Sequence, residues 1–506
     1  MSSMMLQGFS SILLNPSCLI WMVAGTIIGI IFGSIPGLTA TMAMAMFIPV
    51  TFSLDAAQGI ALLLALYIGG CSGGLISAIL LNIPGTPASM ATCFDGRPMA
   101  EKGEAGKALG SGIVFSFLGT IIGLIALVAI SPALASIAIK FGPHEYFAIT
   151  IFSLTLIITL SGENLVKGLM TGCLGLMFAT VGMAPIDSTP RYTFGTTALK
   201  SGFGILIVLV GAYAVSEIIA TAEGVHSGNR KDLSVLTNFK IKGFGFSVKE
   251  FVSQIWNMIR SAAIGIGLGI LPGIGNGTSN VLAYTIAKNS SKHPEKFGTG
   301  IIDGIVASET SNNATIPGTI IPLLTLGIPG DSTASLLLGA LVMKGITPGP
   351  LIFKQNGQVV YAIYAAIFVS AVMMLIIEFF GLRAFVRVLK VPTHILMPLV
   401  FALCIVGAYG NNNRIFDCGA LIFFGIVGYL LKKGDYPMAP LILGFVLGDI
   451  MELNFRRALS YSNGRWYEFF TKPISGVFLA LAVFSLIFNL RNYFKRKKQL
   501  GNEKQN

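Results

Sequence analysis

Long apolar segments recur from one end of the 506-residue chain to the other, and they limit its possible folds more than any other feature. A helix of about 20 apolar residues is long enough to cross the hydrocarbon core of a bilayer. Hydrophobic residues make up 54% of the sequence and charged residues 11%, which is less than half the charged fraction of an ordinary soluble domain. The sequence therefore predicts an all-α polytopic membrane protein with roughly 11–13 membrane segments, and not a barrel of alternating strands.

Lys and Arg lie mainly in short loops between the apolar segments, and the chain has a formal charge of +12. Such loops are typical of the cytoplasmic side of membrane proteins, so this charge does not predict binding to nucleic acid. The stretch Thr221–Arg260, the loop around Arg97 and the C-terminal tail from Arg491 are rich in basic residues. All three are predicted to be cytoplasmic.

Motifs for a metal site or a nucleotide-phosphate site are missing from the sequence. The four His form no HExxH motif, the six Cys form no CxxC pair, and no phosphate-binding glycine loop occurs. The chain is therefore predicted to be neither an enzyme nor an ATP-driven pump. No cofactor is expected apart from a coupling ion.

Two stretches of the chain resemble each other. Small residues and a Pro-Gly pair recur at a constant offset, since Gly25, Gly29, Gly33, Pro36 and Gly37 match Ser261, Gly265, Gly269, Pro272 and Gly273. The loop charges indicate that the first stretch runs from outside to inside and the second from inside to outside. A repeat of this kind is the inverted-topology duplication of secondary transporters. The four-residue spacing also puts the glycines on one helix face, which favours close helix packing over ligand contact.

The repeat divides the chain into four predicted parts. The parts are a first inverted repeat at 1–222 (broken-helix region 17–94, scaffold spans 108–220), a cytoplasmic linker at 223–256, a second inverted repeat at 257–450 (broken-helix region 257–343, scaffold spans 358–450), and a final span with a basic cytoplasmic tail at 451–506. The predicted scaffold and final spans lie near 109–136, 146–160, 166–184, 203–220, 358–380, 394–410, 417–431, 438–450 and 474–490.

Pro-Gly breaks interrupt both broken-helix regions. Irregular backbone inside a membrane is tolerated only where it is buried in protein or lines a cavity. A broken helix presents unpaired N–H groups to an anion and unpaired carbonyls to a cation, so paired breaks indicate a transporter's binding site. The predicted substrate- and ion-binding residues are Pro36, Gly37, Thr39, Tyr67, Asn82, Pro84, Gly85, Thr86, Pro272, Gly273, Gly275, Asn276, Gly277, Thr278, Ser311, Asn312, Asn313, Pro317, Gly318, Thr319, Pro329, Gly330 and Asp331.

A polar run precedes the predicted break at Pro317-Gly318. Oxygen ligands from Asn, Ser and Thr suit sodium better than a transition metal, so sodium is predicted at Asn82, Asn312 and Asn313. These amides could instead cap or join helices. Glu309 and Asp331 are alternative proton carriers or ion-pair partners, and Tyr67 is either a packing aromatic or a ligand.

Four sequence blocks carry a resemblance to a known family. The blocks are Gly29-x-x-x-Gly33-x-x-Pro36-Gly37, Tyr67-Ile68-Gly69-Gly70-x-x-Gly73-Gly74 with Asn82-Ile83-Pro84-Gly85-Thr86-Pro87, Phe94-Asp95-Gly96-Arg97-Pro98, and Leu271-Pro272-Gly273-Ile274-Gly275. Over roughly residues 15–490 the sequence resembles the large membrane subunit of bacterial tripartite tricarboxylate transporters, the TctA family. Cys71-Ser72 departs from the pattern, where a bulkier or aromatic residue is expected before the glycines.

The resemblance implies a secondary transporter of three components in the bacterial inner membrane. A periplasmic solute-binding protein would deliver a carboxylate, a small four-helix membrane subunit would assist, and this subunit would import the solute with sodium or protons. The family is associated with citrate, other tri- and dicarboxylates and some aromatic acids, and its architecture implies an elevator-like movement by analogy. Two alternatives stay open at the level of sequence: an ion-coupled carboxylate symporter that needs no binding protein, and a passive channel.

Overall fold

The computed structural model describes residues 2–35, 38–160, 165–225, 244–272, 275–388 and 393–503. The α-helices of the first part of the chain are α1 (Ser2–Leu13), α2 (Pro16–Ser34), α3 (Ala40–Phe47), α4 (Ala56–Leu81), α5 (Thr92–Glu101), α6 (Ala105–Ala138), α7 (Pro143–Leu160), α8 (Leu165–Ala179), α9 (Ile205–Val210) and α10 (Ser216–Val225). A π-helical turn, Gly211–Val215, joins the last two. Two short strands, β1 (Gly182–Met183) and β2 (Pro190–Arg191), pair antiparallel.

The second part of the chain is also built from helices. They are α11 (Val248–Ile270), α12 (Gly275–Asn289), α13 (Ile302–Leu326), α14 (Ser332–Met343), α15 (Ile352–Gln355), α16 (Gly357–Val388), α17 (Thr393–Asn412), α18 (Ile415–Lys433), α19 (Met438–Tyr461), α20 (Glu468–Thr471) and α21 (Pro473–Glu503). Short 3-10 helices lie at Ile48–Ser53, Pro87–Ser89, Ala198–Ser201 and Pro294–Lys296.

Seven helices of the described residues are long and apolar enough to cross a membrane. They are Pro16–Ser34, Ala56–Leu81, Ala105–Ala138, Ile205–Glu223, Gly357–Phe385, Ile415–Lys433 and Met438–Tyr461. Shorter apolar helices account for further predicted spans, for example Leu165–Ala179 and Pro473–Ile487. The predicted class, an all-α polytopic membrane protein, is confirmed.

Helix α4 lies at the centre of the fold. Its membrane-length segment is buried on every side, as expected for a helix that is apolar all around. Asp55 accepts a hydrogen bond from the backbone N–H of Gln58 at 2.8 Å and so begins the helix, while its last residue is followed by Asn82 in a left-handed conformation (φ 57°). The helix packs against α2, α16, α3 and α5.

Glycines let α2 pack closely against α4, and they let α11 pack closely against α13. In both pairs a glycine of the first helix lies against a backbone carbonyl of the second. A Cβ atom added to Gly29 of α2 would lie 2.6 Å from the carbonyl oxygen of Leu66 in α4. At the corresponding place in the second half, a Cβ on Gly265 of α11 would overlap the carbonyl oxygen of Ser311 in α13. Only hydrogen fits at these positions, so the predicted close packing of the glycine faces is confirmed.

The same correspondence holds where the chain returns after a break. A Cβ on Gly85 would overlap the carbonyl oxygen of Gly33, and a Cβ on Gly330 would lie 2.5 Å from the carbonyl oxygen of Gly269. The two broken-helix regions therefore pack alike. Their inverted orientation across a membrane, and the division of the chain that follows from it, stay predictions.

Four of the helix breaks in these two regions occur at Pro-Gly pairs of the sequence. The helices stop and restart between Ser34 and Ala40, Leu81 and Pro87, Ile270 and Gly275, and Leu326 and Ser332. The predicted residues Pro36, Gly37 and Gly273 fall outside the described residues, as does most of the predicted linker.

The predicted break at Pro317-Gly318 is wrong, because α13 continues through both residues and through Pro322. A proline removes one backbone hydrogen bond from a helix, and packing on every side can keep such a helix continuous. Neighbouring helices enclose α13 closely here. A Cβ on Gly123 of α6 would lie 3.0 Å from Pro317, and a Cβ on Gly318 would lie 3.2 Å from the Cα of Gly269.

Replacing Gly265 by Ala tests the glycine contact between α11 and α13. The added methyl group overlaps the backbone of Ser311, so we expect a loss of about 1–3 kcal/mol of stability from overpacking. The matched control is Gly267→Ala on the same helix, where no atom of a neighbouring described segment lies within 4 Å of the new Cβ. Thermal unfolding in detergent should show a lower midpoint for Gly265→Ala only. Equal midpoints for the two variants would contradict the packing.

Candidate functional site

The four helix breaks meet at one cavity of about 230 Å³. Each break contributes the residues with which the chain resumes after it. The lining residues are Thr39, Ala40 and Thr41 from the first break, Thr86, Pro87 and Ala88 from the second, Gly275, Asn276 and Gly277 from the third, and Asp331, Ser332 and Thr333 from the fourth, together with Cys71 and Tyr213. Residues almost 300 positions apart in sequence therefore form one site.

Three α-helices begin at the wall of this cavity, namely α3, α12 and α14. The N-terminal end of a helix carries unpaired N–H groups and a partial positive charge, and it favours an anion by about 0.3–1 kcal/mol. Thr39 caps α3 by accepting a hydrogen bond from the backbone N–H of Met42 at 3.1 Å. Asp331 caps α14 by accepting one from the backbone N–H of Ala334 at 2.7 Å. Each of these caps uses one backbone donor, so a negatively charged group in the cavity would bind to the remaining N–H groups of the first helical turns.

A buried hydrogen-bond network joins the cavity wall to the central helix. The Tyr67 hydroxyl of α4 donates to Asp331 at 2.6 Å and lies 3.4 Å from the side-chain oxygen of Asn276. The Asn276 amide in turn donates to the Cys71 sulfur at 3.1 Å. This network fixes α4, α12 and α14 relative to one another. It also holds one carboxylate beside the helix ends, so a cation or a proton can bind next to an anion there.

A threonine pair joins the two halves of the chain at the same cavity. The hydroxyl groups of Thr41 in α3 and Thr333 in α14 lie 2.7 Å apart. Both residues line the cavity, so a solute that enters it contacts elements from the first and the second broken-helix region.

The polar run on α13 is fully buried behind the cavity. Ser311 donates to the carbonyl oxygen of Ser279 at 3.0 Å, and the Asn312 amide lies 3.4 Å from the carbonyl oxygen of Cys71. The side-chain oxygens of Asn312 and Asn313 have no hydrogen-bond partner among the described residues. Buried acceptors without partners are uncommon, and these two oxygens are available to a water or a cation.

The structure separates Asn82 from the other two predicted sodium ligands. Asn82 is exposed after the end of α4, whereas Asn312 and Asn313 are buried in the middle of α13. None of the hydrogen bonds among the described residues joins Asn82 to either of them.

The remaining predicted residues that the structure describes do not line the cavity. Gly330 donates its N–H to the carbonyl oxygen of Thr319 at 3.3 Å and closes the fourth break onto α13. Thr278 is exposed on α12, and Pro272 is buried at the end of α11. The other predicted residues that occupy the breaks or α13 are Pro84, Gly85, Pro317, Gly318 and Pro329.

Two buried glutamates, Glu309 and Glu378, accept hydrogen bonds from buried hydroxyl groups. From the sequence, Glu309 is predicted as an alternative proton carrier or ion-pair partner, but no role is predicted for Glu378. Glu309 of α13 accepts hydrogen bonds from Thr92 at 2.5 Å and from Ser116 of α6 at 3.0 Å. Glu378 of α16 accepts one from Ser72 of α4 at 2.6 Å. The sequence contained the signal for Glu378, because a single acidic residue inside an apolar span indicates a functional role.

Asp95 is a second buried acidic residue that the prediction left out. One carboxylate oxygen accepts hydrogen bonds from the N–H groups of Gly298, Gly300 and Ile301 at 2.9, 2.8 and 3.1 Å. The other accepts one from the Tyr284 hydroxyl at 2.9 Å. Asp95 therefore ties the end of the first broken-helix region to the loop that leads into α13.

A larger cavity, of about 390 Å³, lies between α7, α8 and α19. Its charged lining residues are Arg191 and Glu452, which pair with each other at 2.8 Å. It touches none of the four breaks. We therefore take the cavity at the breaks as the candidate functional site.

Comparison with known proteins gives consistent matches. The model of the tripartite tricarboxylate transporter TctA family matches residues 19–443. A protein of Agrobacterium vitis, described as an uncharacterized 52.8 kDa protein in the TAR-I ttuC' 3' region, is 34% identical over 491 residues, which cover 97% of this chain and 96% of that protein. Another, described as an uncharacterized protein in the TAR-II ttuC' 3' region, is 36% identical over 231 residues, or 46% of this chain and 96% of that protein. No solved structure matches the chain significantly.

Replacing Asp95 by Asn tests the tie to the loop before α13. The amide oxygen of the variant can still accept these hydrogen bonds, but without the charge each contributes about 0.5–1.5 kcal/mol and not about 1.5–3 kcal/mol. Hydrogen exchange should therefore quicken by about tenfold or more at the amides of Gly298, Gly300 and Ile301, since about 1.4 kcal/mol corresponds to a factor of ten. Glu101→Gln, at an exposed residue of the same helix, serves as control. Unchanged exchange in Asp95→Asn would show that the carboxylate does not hold the loop.

Proposed function

Because the chain belongs to the tripartite tricarboxylate transporter TctA family, we propose that it is the subunit that carries tri- or dicarboxylates through the membrane. It is a multi-pass membrane protein and a component of a transporter of this family. The import direction, the delivery of solute by a periplasmic binding protein and the coupling to a sodium or proton gradient are parts of the proposal.

One observation carries the proposal, namely that helix ends from all four breaks line one cavity. Backbone N–H groups at the start of α3, α12 and α14 are donors for carboxylate oxygens. Donors from both broken-helix regions suit a solute with more than one carboxylate, because each carboxylate can bind a different helix end. The threonine pair Thr41 and Thr333 supplies hydroxyl groups at the same place.

Coupling to a cation follows from the cost of moving an anion into the membrane. A buried charge without a partner is strongly unfavourable, so a sodium ion or a proton that binds with the carboxylate lowers that cost. The unpaired oxygens of Asn312 and Asn313 are the best candidates for sodium, and Asp331 lies at the cavity itself. We do not include Asn82 in this cation site because it is exposed, whereas the two amides are fully buried.

The proposal includes an arrangement of partners. The protein would lie in the bacterial inner membrane with a cytoplasmic C-terminus, and would work with a small four-helix membrane subunit and a periplasmic solute-binding protein. The two broken-helix regions would move together against the later spans in an elevator-like step. The tie between these regions through Tyr67, Asp331 and Asp95 supports their movement as one unit.

Labelling of Cys71 tests the position of the substrate. Cys71 lines the cavity, so a small thiol reagent that enters the cavity should react with it and bound citrate should block the reagent. In a variant whose other cysteines are replaced by Ser or Ala, citrate should slow the labelling of Cys71. A second variant that keeps only Cys173, which is exposed on α8, should label at the same rate with and without citrate. Equal rates for Cys71 with and without citrate would place the substrate elsewhere.

Uptake into proteoliposomes tests the mode of transport. With the small membrane subunit present, citrate uptake should require both the periplasmic binding protein and an inward sodium or proton gradient. Uptake that depends on the gradient but not on the binding protein would favour the alternative of an independent symporter. Flux that neither saturates nor responds to a gradient would favour a passive channel.

A further inference from the structure

We propose that Glu378 is a proton-binding site buried at the contact between α4 and α16. The proton binds the carboxylate oxygen that faces no hydrogen-bond donor, and it converts a buried anion into a neutral carboxylic acid. The assignment of proton binding stands on the geometry of this contact. Its role in coupling rests on the proposed transport function.

The surroundings of Glu378 favour exchange of a proton over a fixed charge. The residue is fully buried in the interior of a 29-residue membrane-length segment. One carboxylate oxygen accepts a hydrogen bond from the Ser72 hydroxyl at 2.6 Å, and the other has no partner among the described residues. A carboxylate in hydrocarbon with a single donor is poorly compensated. A bound proton removes the charge and supplies a donor.

Among the described residues, the basic side chains of the elements around Glu378 are exposed or already paired with another acidic residue. Helices α1, α2, α4 and α6 pack against α16, and their described residues include one basic side chain, Lys107 at the start of α6. Lys107 already pairs with Glu250. On α16 itself, Arg383 is exposed. Lys354 belongs to the short helix α15 at the opposite end of α16.

Other titratable groups near this contact are uncharged or of the same sign as Glu378. Helix α4 contributes Tyr67 and Cys71, and α2 contributes Cys18. The carboxyl group of Glu309, in the second broken-helix region, carries the same sign of charge and disfavours the ionised form of Glu378. Proton binding at Glu378 is therefore linked to the charge state of Glu309.

The contact between α13 and α6 also contains a buried hydrogen bond between a serine and a glutamate, but the two residue types lie on the opposite helices. There the glutamate, Glu309, lies on the broken-helix region and the serine, Ser116, lies on the long span, at 3.0 Å. At the contact between α4 and α16 the serine, Ser72, lies on the broken-helix region and Glu378 on the long span. Each broken-helix region thus contacts its neighbouring long span through one buried Glu–Ser hydrogen bond.

This position gives the proton a mechanical effect. A charged Glu378 needs the Ser72 hydroxyl, so the ionised form holds α4 against α16. A neutral Glu378 depends less on a hydrogen bond from Ser72. The free-energy cost of sliding its side chain past apolar residues of α4 is therefore lower than for the charged form. Proton binding at Glu378 would then release the broken-helix region for the movement proposed above, and proton loss would hold it again.

Infrared difference spectroscopy on the purified full-length protein tests the proton site directly. Spectra recorded between acidic and alkaline buffer should contain a carboxylic-acid C=O band that appears on acidification and shifts in D₂O. The band should be lost in Glu378→Gln. It should persist at higher frequency in Ser72→Ala, because the carboxyl group then lacks its hydrogen-bond partner. Glu101→Gln, at an exposed ion pair, should keep the wild-type band. A spectrum of Glu378→Gln identical to wild type would overturn the proposal.

Uptake measurements separate the coupling role from the transport function. We expect Glu378→Gln to keep the protection of Cys71 by citrate and to lose the stimulation of citrate uptake by an inward proton gradient. If Glu378→Gln loses the infrared band but its citrate uptake is still stimulated by the proton gradient, Glu378 binds a proton without a role in coupling. That result would overturn the coupling part of the proposal. Failure of the wild-type protein to take up citrate would instead contradict the proposed function, while the infrared result would still decide the proton site.

Discussion

The need to hydrogen-bond every backbone polar group inside a bilayer governs this structure. Continuous helices meet that need for most of the chain, and the helix breaks are possible only because neighbouring helices enclose them. Close glycine contacts provide that enclosure. Where Gly33 lies against Gly85 and Gly269 lies against Gly330, backbone packs directly on backbone, and no water or lipid can intervene. The unpaired helix ends are thereby confined to one cavity.

The cavity combines features that rarely occur together in hydrocarbon. Helix N-termini provide positive ends without mobile side chains, and the Tyr67–Asp331 pair provides a fixed negative group beside them. Further inside, the side-chain oxygens of Asn312 and Asn313 have no hydrogen-bond partner among the described residues, and Glu309 and Glu378 accept hydrogen bonds from buried hydroxyl groups. Anion, cation and proton sites can therefore lie within one continuous polar interior, which is the arrangement that ion-coupled uptake of a carboxylate requires.

Pro-Gly pairs in the sequence predict at least one lining residue of the cavity at each of the four breaks, but the sequence misplaces some of the surroundings. Six predicted residues line the cavity, because a Pro-Gly pair marks a helix break in the local sequence. They are Thr39, Thr86, Gly275, Asn276, Gly277 and Asp331. Pro317-Gly318 carries the same mark and lies in a continuous helix, since tertiary packing around α13 outweighs the local preference. Glu378 was missed although it is a lone acidic residue inside an apolar span, and its partner Ser72 could not be assigned because it lies 306 residues away in sequence. Partners at such distances follow from the fold and not from any local pattern.

An experimental structure of the complex with citrate tests the central claim most directly. We expect density for the substrate in the cavity formed by the four breaks, with carboxylate oxygens within hydrogen-bond distance of backbone N–H groups at the start of α3, α12 or α14. Substrate bound at Arg191 in the larger cavity, or helix breaks that open separately to solvent without a shared cavity, would contradict it.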